Sequence, residues 1–286
     1  MAANEVSLNS LRFSVVGPGR VGASLAHWLV SRGATLASVS SRSPDSAASL
    51  LRALGGSWTD PRHIDSAETD LLLVAVSDPA LPEVVDRLTR RRQADVVLHT
   101  SGRVPGEVLS TLRQQGSSVG SFHPLKAFPR VLVDPAPAAG IVFGIDGDHD
   151  ARAMAHRLAD AVSGRTVDVP PDSRSRYHLA ATMAAGGVVT LLASAAKLAT
   201  DAGLGDEVID GYLSLAAGAI DNAAASPAIA DAITGPIARG DTAGMIEQID
   251  EIRALDPALA EFLDILARRT EFHCRALARE PKLPRS

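Results

Sequence analysis

The stretch Phe13-Ser-Val-Val-Gly-Pro-Gly-Arg-Val-Gly22 decides how the chain is read. Arg12 to Val16 has the composition of a short buried strand, and Ala23 to Ser31 continues as an amphipathic helix, with Gly33 where a C-cap glycine belongs. Between them Gly17, Gly19 and Gly22 stand at the G-x-G-x-x-G spacing of a dinucleotide-binding turn. Gly17 turns the chain out of the strand, Gly19 lets backbone approach a pyrophosphate, and Gly22 lets helix and strand pack closely. The helix N-terminus presents free N–H groups and the positive end of its dipole to the phosphates. The turn Gly17, Pro18, Gly19, Arg20, Val21 and Gly22 is therefore expected to hold a cofactor, with Pro18 setting shape because it has no N–H. An ordinary Gly-rich strand-to-helix turn is the alternative.

Thr35 to Ser40 reads as the second strand, and the residues just beyond it select the cofactor. NAD enzymes place Asp or Glu there to bond the ribose 2′-hydroxyl. This chain has Ser40-Ser41-Arg42-Ser43. A guanidinium and hydroxyls suit a 2′-phosphate, which a carboxylate would repel. The expected cofactor is thus NADP, bound in part by Ser41, Arg42 and Ser43; a polar turn with a solvent-facing arginine is the alternative.

Strand and helix patterns alternate up to about residue 170. Pro44–Leu54 reads as a helix, and residues 55–64 have room for a brief third strand. Asp70–Val76 is a near-continuous apolar run, the mark of a strand buried on both faces of a parallel sheet. A helix over Ala80–Arg91, a strand over Asp95–Thr100, a helical Pro105–Gln115 and a strand over Ser118–Phe122 follow. Gly140–Gly144 and Arg165–Val169 read as closing strands around a helix over Asp150–Ser163. Right-handed crossovers would build a doubly wound, mostly parallel α/β sheet, with ligands outside the carboxyl ends of its strands. Those ends carry the glycine turn, Ser41–Ser43, Val76-Ser77-Asp78, Thr100-Ser101-Gly102 and His123–Lys126.

Pro170-Pro171 marks the expected boundary, and beyond it the pattern is helical only. The expected organisation is a flexible lead over 1–10, a dinucleotide-binding domain over 11–170, an all-α domain over 171–279 and a loose tail over 280–286. Asp172 is placed to cap a long helix running to about Ala202, ended by Gly203. Helices over Asp206–Ala225 and Thr242–Ala254, a short one opened by Ser226-Pro227, and a last one from Asp256-Pro257 to about Ala278 complete the domain. The 172–202 helix is rich in Ala and Gly and apolar on most faces, which points to burial against a second subunit as well as its own core, hence a homodimer; a well-covered central helix in a monomeric bundle is the alternative.

The chain has 286 residues, 46% of them apolar and only 3% aromatic, so its core rests on Ala, Leu and Val. A net charge of −5 argues against nucleic acid as a partner, and Arg90-Arg91-Arg92 reads as a solvated helix end. Cys274 is the only cysteine, which fits a reducing compartment. The first eight residues lack a signal peptide's apolar segment, and Leu71–Val76 and Val188–Leu192 are too short to span a bilayer. A cytoplasmic protein with no membrane partner is expected. The histidines His123, His149, His156, His178 and His273 show no metal-binding spacing, and no G-x-S-x-G elbow of a serine hydrolase occurs.

Reducing a carbonyl or imine requires hydride from a nicotinamide, a proton donor and a group to hold the substrate's carboxylate. His123, Lys126, Tyr177, His178 and Arg239 are the available groups. His123, just past a strand end, and His178, early in the long helix, are rival proton donors; a histidine capping a turn next to Pro124 and a satisfied core histidine are the respective alternatives. Lys126 or Arg239 would pair with the carboxylate, and surface charges are the alternative for both. Asp78 reads as a group that orders its loop.

Several motifs bring a family into view: Ser121-Phe-His-Pro-Leu-Lys-Ala-Phe128, Tyr177-His-Leu-Ala-Ala181 and Thr234-Gly-Pro-Ile-Ala-Arg-Gly-Asp241. Together with the glycine turn, they resemble a family of Rossmann oxidoreductases whose C-terminal half is the domain of unknown function numbered 2520. That family is similar to pyrroline-5-carboxylate reductases and to an alternative type of ketopantoate reductase of pantothenate biosynthesis, within the 6-phosphogluconate-dehydrogenase-like architecture. The resemblance implies a Rossmann domain followed by an all-helical one, NAD(P) binding, a dimer and a reaction in the cleft between the domains. One departure stands out: the family pattern places Asn about one turn beyond the alanines, where this chain has Gly186-Gly187. The expected function is NADP-dependent reduction of a small 2-oxo acid or cyclic imine. The alternative is a noncatalytic NADP-binding sensor or partner-binding module, which the Gly186-Gly187 departure favours.

Overall fold

The computed structural model describes residues 7–64, 68–89, 93–128 and 140–279. Its eight strands are β1 (Arg12–Val16), β2 (Thr35–Ser40), β3 (Ser57–Thr59), β4 (Leu71–Val74), β5 (Val96–His99), β6 (Ser118–Pro124), β7 (Val142–Gly147) and β8 (Arg165–Asp168). They form one sheet in the order β3-β2-β1-β4-β5-β6-β7-β8, parallel throughout except for the β6–β7 pair. The order reverses at β1 and β4, the topological switch point of a doubly wound sheet.

The helices are α1 (Arg20–Ser31), α2 (Pro44–Leu54), α3 (Leu81–Leu88), α4 (His149–Ala161), α5 (Arg174–Thr182), α6 (Val188–Asp201), α7 (Asp206–Ala225), α8 (Thr242–Arg253) and α9 (Pro257–Arg279). Alternation along β4 shows how the sheet is covered. Leu71 and Leu73 belong to the core under α1, α2 and α4, whereas Leu72 and Val74 belong to the core under α3. Both faces are thus apolar, which is why the strand reads as an unbroken hydrophobic run.

The structure departs from the sequence expectations at several points. Helix α1 starts at Arg20 rather than Ala23, so the last turn of the fingerprint is already helical. The segment Gly106–Gln115 is helical as expected, in 3₁₀ form. Residues 7–10 are not a loose lead: Leu8 is fully buried in the core, and its N–H donates to the Arg32 carbonyl at 2.9 Å. Strand β6 runs through Pro124, so His123 lies inside the strand rather than beyond it; antiparallel pairing with Gly144 and Phe143 of β7 carries the ladder that far. Asp172 does not cap the long helix, because it sits inside the 3₁₀ turn Pro171–Ser173 that leads into α5. The Arg90–Arg92 run and the 280–286 tail lie outside the described residues.

By compactness the chain divides into one unit ending at Ala185 and a second beginning at Gly186, rather than at the Pro170-Pro171 pair. The reason is local: α5 carries the buried Arg174, which ties it to the sheet. The expected long helix is continuous over Pro171–Asp201, with a π-helical turn over Met183–Gly187 that contains Gly186 and Gly187. By length and composition this helix is long and apolar enough to cross a membrane, with a mean hydropathy of 1.7 over its most apolar 18 residues. The short run Val188–Leu192, weighed alone, does not convey that. Val189, in the second unit, is 66% exposed among the described residues.

In the second unit α6 packs with α7 and α8 with α9. Among its described residues only Ala199, Ile249 and Ala260 are buried apolar side chains.

Candidate active site

A cavity of about 340 Å³ opens at the carboxyl ends of β1, β4, β5 and β6, entirely within the first unit. Its walls are Gly19, Arg20 and Val21 from the glycine turn, Ala75–Asp78 beyond β4, and Thr100–Gly102 beyond β5. His123, Pro124, Lys126 and Phe128 of the next segment and His178 of α5 complete it. The structure therefore brings together most of the polar strand ends singled out in the sequence.

The glycine turn is built for an anion. Gly17 has φ of +91°, and a β-carbon there would lie 2.5 Å from the Ala75 carbonyl oxygen, so only glycine fits. Gly19 is the N-cap of α1, and no side chain caps its N–H groups. No acidic residue lies in the first turn, and the space that a β-carbon on Gly19 would occupy holds no protein atom within 4 Å. Uncapped N–H groups at the positive end of a 12-residue helix, beside open space, fit a pyrophosphate.

Ser41, Arg42 and Ser43 are not cavity walls; they lie at the end of β2, beside β1 on the same sheet edge. Their hydroxyls are used in shaping the turn. Ser41 donates to the Ser43 carbonyl at 2.6 Å and accepts from the Trp58 indole at 3.2 Å. Ser43 is the N-cap of α2, accepting from the Ser46 N–H. Arg42 is exposed and forms no hydrogen bond or ion pair among the described residues. Of the predicted set, the guanidinium is the group left to meet a phosphate.

At the other end of the cavity the His123 and His178 rings form the wall, and Tyr177, which lies against Gly144, bonds to His123. Nδ1 of His123 lies 2.9 Å from the Tyr177 hydroxyl. The His123 and His178 rings sit edge to face, 5.9 Å between centroids. Both press against Gly102, where a β-carbon would meet His178 Cδ2 at 2.7 Å and His123 Nε2 at 2.8 Å. The two histidines that were rival donors are thus neighbours. Burial, helped by the neighbouring His178 ring and the Arg174 cation, lowers the His123 pKa to about 4. His123 is therefore neutral at pH 7. Burial raises the Tyr177 hydroxyl, against the pull of the Arg174 cation.

Asp78 pairs with Arg103 at 3.1 Å. Burial pushes its carboxyl up, but hydrogen bonds from Ser101 and Arg103 outweigh this and hold it below its ordinary value, as a loop-ordering anion rather than a base. Arg239 belongs to the second unit, exposed at the end of the 3₁₀ turn Ile237–Arg239. Sequence reasoning missed three buried groups behind the cavity: His99, Asp146 and Arg174. A carboxylate at the end of the apolar run Ile141–Ile145 was the available signal for Asp146; the polar stretch around Arg174 offered none.

Residues 2–124 match a Rossmann-like domain, and residues 141–270 match the domain of unknown function DUF2520. No curated protein matches the chain in sequence. Protein TM1727 of Thermotoga maritima is similar at 23% identity and a TM-score of 0.73, over 93% of this chain and all of that one. BF3122 of Bacteroides fragilis, described as a candidate NADP oxidoreductase, is also 23% identical, with a TM-score of 0.76 over 93% of this chain and 99% of its own. A Plasmodium falciparum pyrroline carboxylate reductase with NADP bound is 12% identical, with a TM-score of 0.58 over 94% and 100% of the two chains. At these identities the likeness is one of fold. The chain thus joins a Rossmann-like domain to a domain of the DUF2520 family, the pairing that its motifs imply.

Proposed function

We propose that the protein is an NADP-dependent reductase of a small 2-oxo acid, of ketopantoate type, or of a cyclic imine. The observation that carries this reading is the convergence of His123 and His178 on Gly102, in the same cavity as the uncapped start of α1, with Tyr177 bonded to His123. Strand β6 stands three places along the sheet from β1, about 14 Å at 4.8 Å per strand. That separation leaves the glycine turn for the pyrophosphate and the histidine end for the reacting ring. The solved structure of a pyrroline carboxylate reductase with NADP, of the same fold, is in keeping with it.

Bound NADPH would supply hydride to the substrate's carbonyl or imine carbon; the chain's residues do the rest. His178 delivers the proton to the oxygen or nitrogen that gains the electron pair. His123 stays neutral and, with Tyr177, holds the substrate's polar atom beside that proton. Lys126, on the cavity wall, pairs with the substrate carboxylate. Arg42 recognises the 2′-phosphate. A second copy of the chain covers the apolar helical unit, where Leu215, Ile229 and Leu255 are 71%, 79% and 79% exposed.

The test is to mix the protein and NADPH with ketopantoate, then with other 2-oxo acids and cyclic imines, and to follow nicotinamide absorbance. Consumption of NADPH supports the reductase. Tight NADPH binding with no turnover across the panel supports the noncatalytic NADP-binding module instead.

A further inference from the structure

Behind the cavity, Arg174 is only 1% exposed, and its guanidinium reaches two strands of the sheet and the loop beyond a third. Nε donates to the Asp146 carboxylate of β7 at 3.1 Å. A second nitrogen donates to the Ser121 hydroxyl of β6, and the third to the Ser101 carbonyl beyond β5 at 3.4 Å. Asp146 also accepts the Gly106 N–H at 3.0 Å. Ser101 directly precedes Gly102, against which both histidines lie.

Arg174 opens α5, and Tyr177 and His178 follow at i+3 and i+4, on the same face of the helix. A buried ion pair is a poor device for stability alone, since apolar residues of similar volume often serve as well. A planar fork supplies direction, because its donors meet several acceptors in one fixed geometry. Here those acceptors sit on three separate elements, and the helix that presents Tyr177 and His178 starts at the fork.

We propose that Arg174, held by Asp146, is the positioning residue of this site, fixing α5 against the Ser101-Gly102 loop so that Tyr177 meets His123 and His178 lies over Gly102. This rests on the cavity being a reductase site. The Arg174 cation also adds, after burial, to disfavouring a proton on His123.

Two variants of the full-length protein test it. Arg174→Met with Asp146→Asn removes both charges and keeps an acceptor for the Gly106 N–H. Arg174→Lys keeps the charge and loses the fork. With nitrogen-15-labelled histidine, the His123 Nδ1 signal should leave its wild-type position in both variants while NADPH affinity is retained. With any substrate the wild type turns over, kcat should fall about tenfold to a hundredfold in both, as expected when a reacting group is misplaced by about 1 Å. Wild-type His123 signals and kcat in Arg174→Lys would mean that charge alone suffices, which overturns the proposal. The same result in the double variant overturns it too. If the double variant does not fold, the Lys variant decides alone. If the wild type reduces nothing, the reductase reading fails, and the histidine signals still decide whether Arg174 positions the dyad.

Discussion

Nδ1 of His123, in strand β6, lies 2.9 Å from the hydroxyl of Tyr177, in helix α5, and this bond ties the sheet's edge chemistry to the helix that follows it. It also gives His123 a defined partner while burial keeps the ring neutral. Tyr177→Phe removes the hydroxyl and leaves Nδ1 without that partner. A lost hydrogen bond of this kind costs about 1 kcal/mol of stability. The expected result is a modest drop in Tm and a larger drop in kcat than in NADPH affinity. Unchanged turnover would show that the bond is only structural.

Cofactor choice should rest on Arg42. A hydrogen bond to a charged group contributes roughly 1.5–3 kcal/mol, so Arg42→Ala should weaken NADPH binding about tenfold to a hundredfold. NADH binding should barely change, because no 2′-phosphate is present to lose the contact. Fluorescence titration with both cofactors checks this, and equal losses for the two would refute it. Ser43→Ala makes the contrast: it removes the α2 cap and should cost about 1 kcal/mol of stability.

Stability should depend on pH through His99, which is fully buried, its Nδ1 accepting the Ser101 N–H at 3.1 Å. Burial lowers its pKa from 6.5 to about 4. Between those values the unfolded chain binds the proton and the native protein does not. Stability is therefore full above about pH 6.5 and falls as the pH drops toward 4, by on the order of 3 kcal/mol. His123 adds to the same window. Urea unfolding across this range measures the slope. His99→Asn, which keeps an acceptor and does not titrate, should flatten it; an undiminished slope would assign the effect elsewhere.

The apolar helical unit should be covered by a second copy of the chain. Val189 is exposed within the chain, so Val189→Asp should leave the fold intact and weaken association. Sedimentation at micromolar concentration should give a dimer for the wild type and a monomer-shifted distribution for the variant. A monomeric wild type that floats with lipid vesicles would instead assign the 171–201 helix to a membrane surface.

Much of this was legible before the structure, for physical reasons that differ by region. Strands β1 and β2 and helices α2 and α7 have the bounds their patterns predict, because each carries its own punctuation, such as Ser43-Pro44 ahead of α2 and Gly203–Gly205 ahead of α7. The extension of β6 through His123 was not legible, because pairing with β7 sets it and register is a tertiary property. The π-turn over Met183–Gly187 leaves no periodicity signal: Gly186-Gly187 stands out in the sequence, but nothing in it specifies that hydrogen-bonding pattern. Arg174 was invisible as a site residue because burial, not residue type, gives it its role.

The most direct measurement of the central claim compares kcat and NADPH affinity in His178→Gln with those of the wild type. Loss of a general acid typically costs about a hundredfold to ten-thousandfold in rate. The account predicts a fall in kcat of that size with NADPH affinity near wild type. A His178→Gln protein that binds NADPH and turns over at the wild-type rate would contradict it.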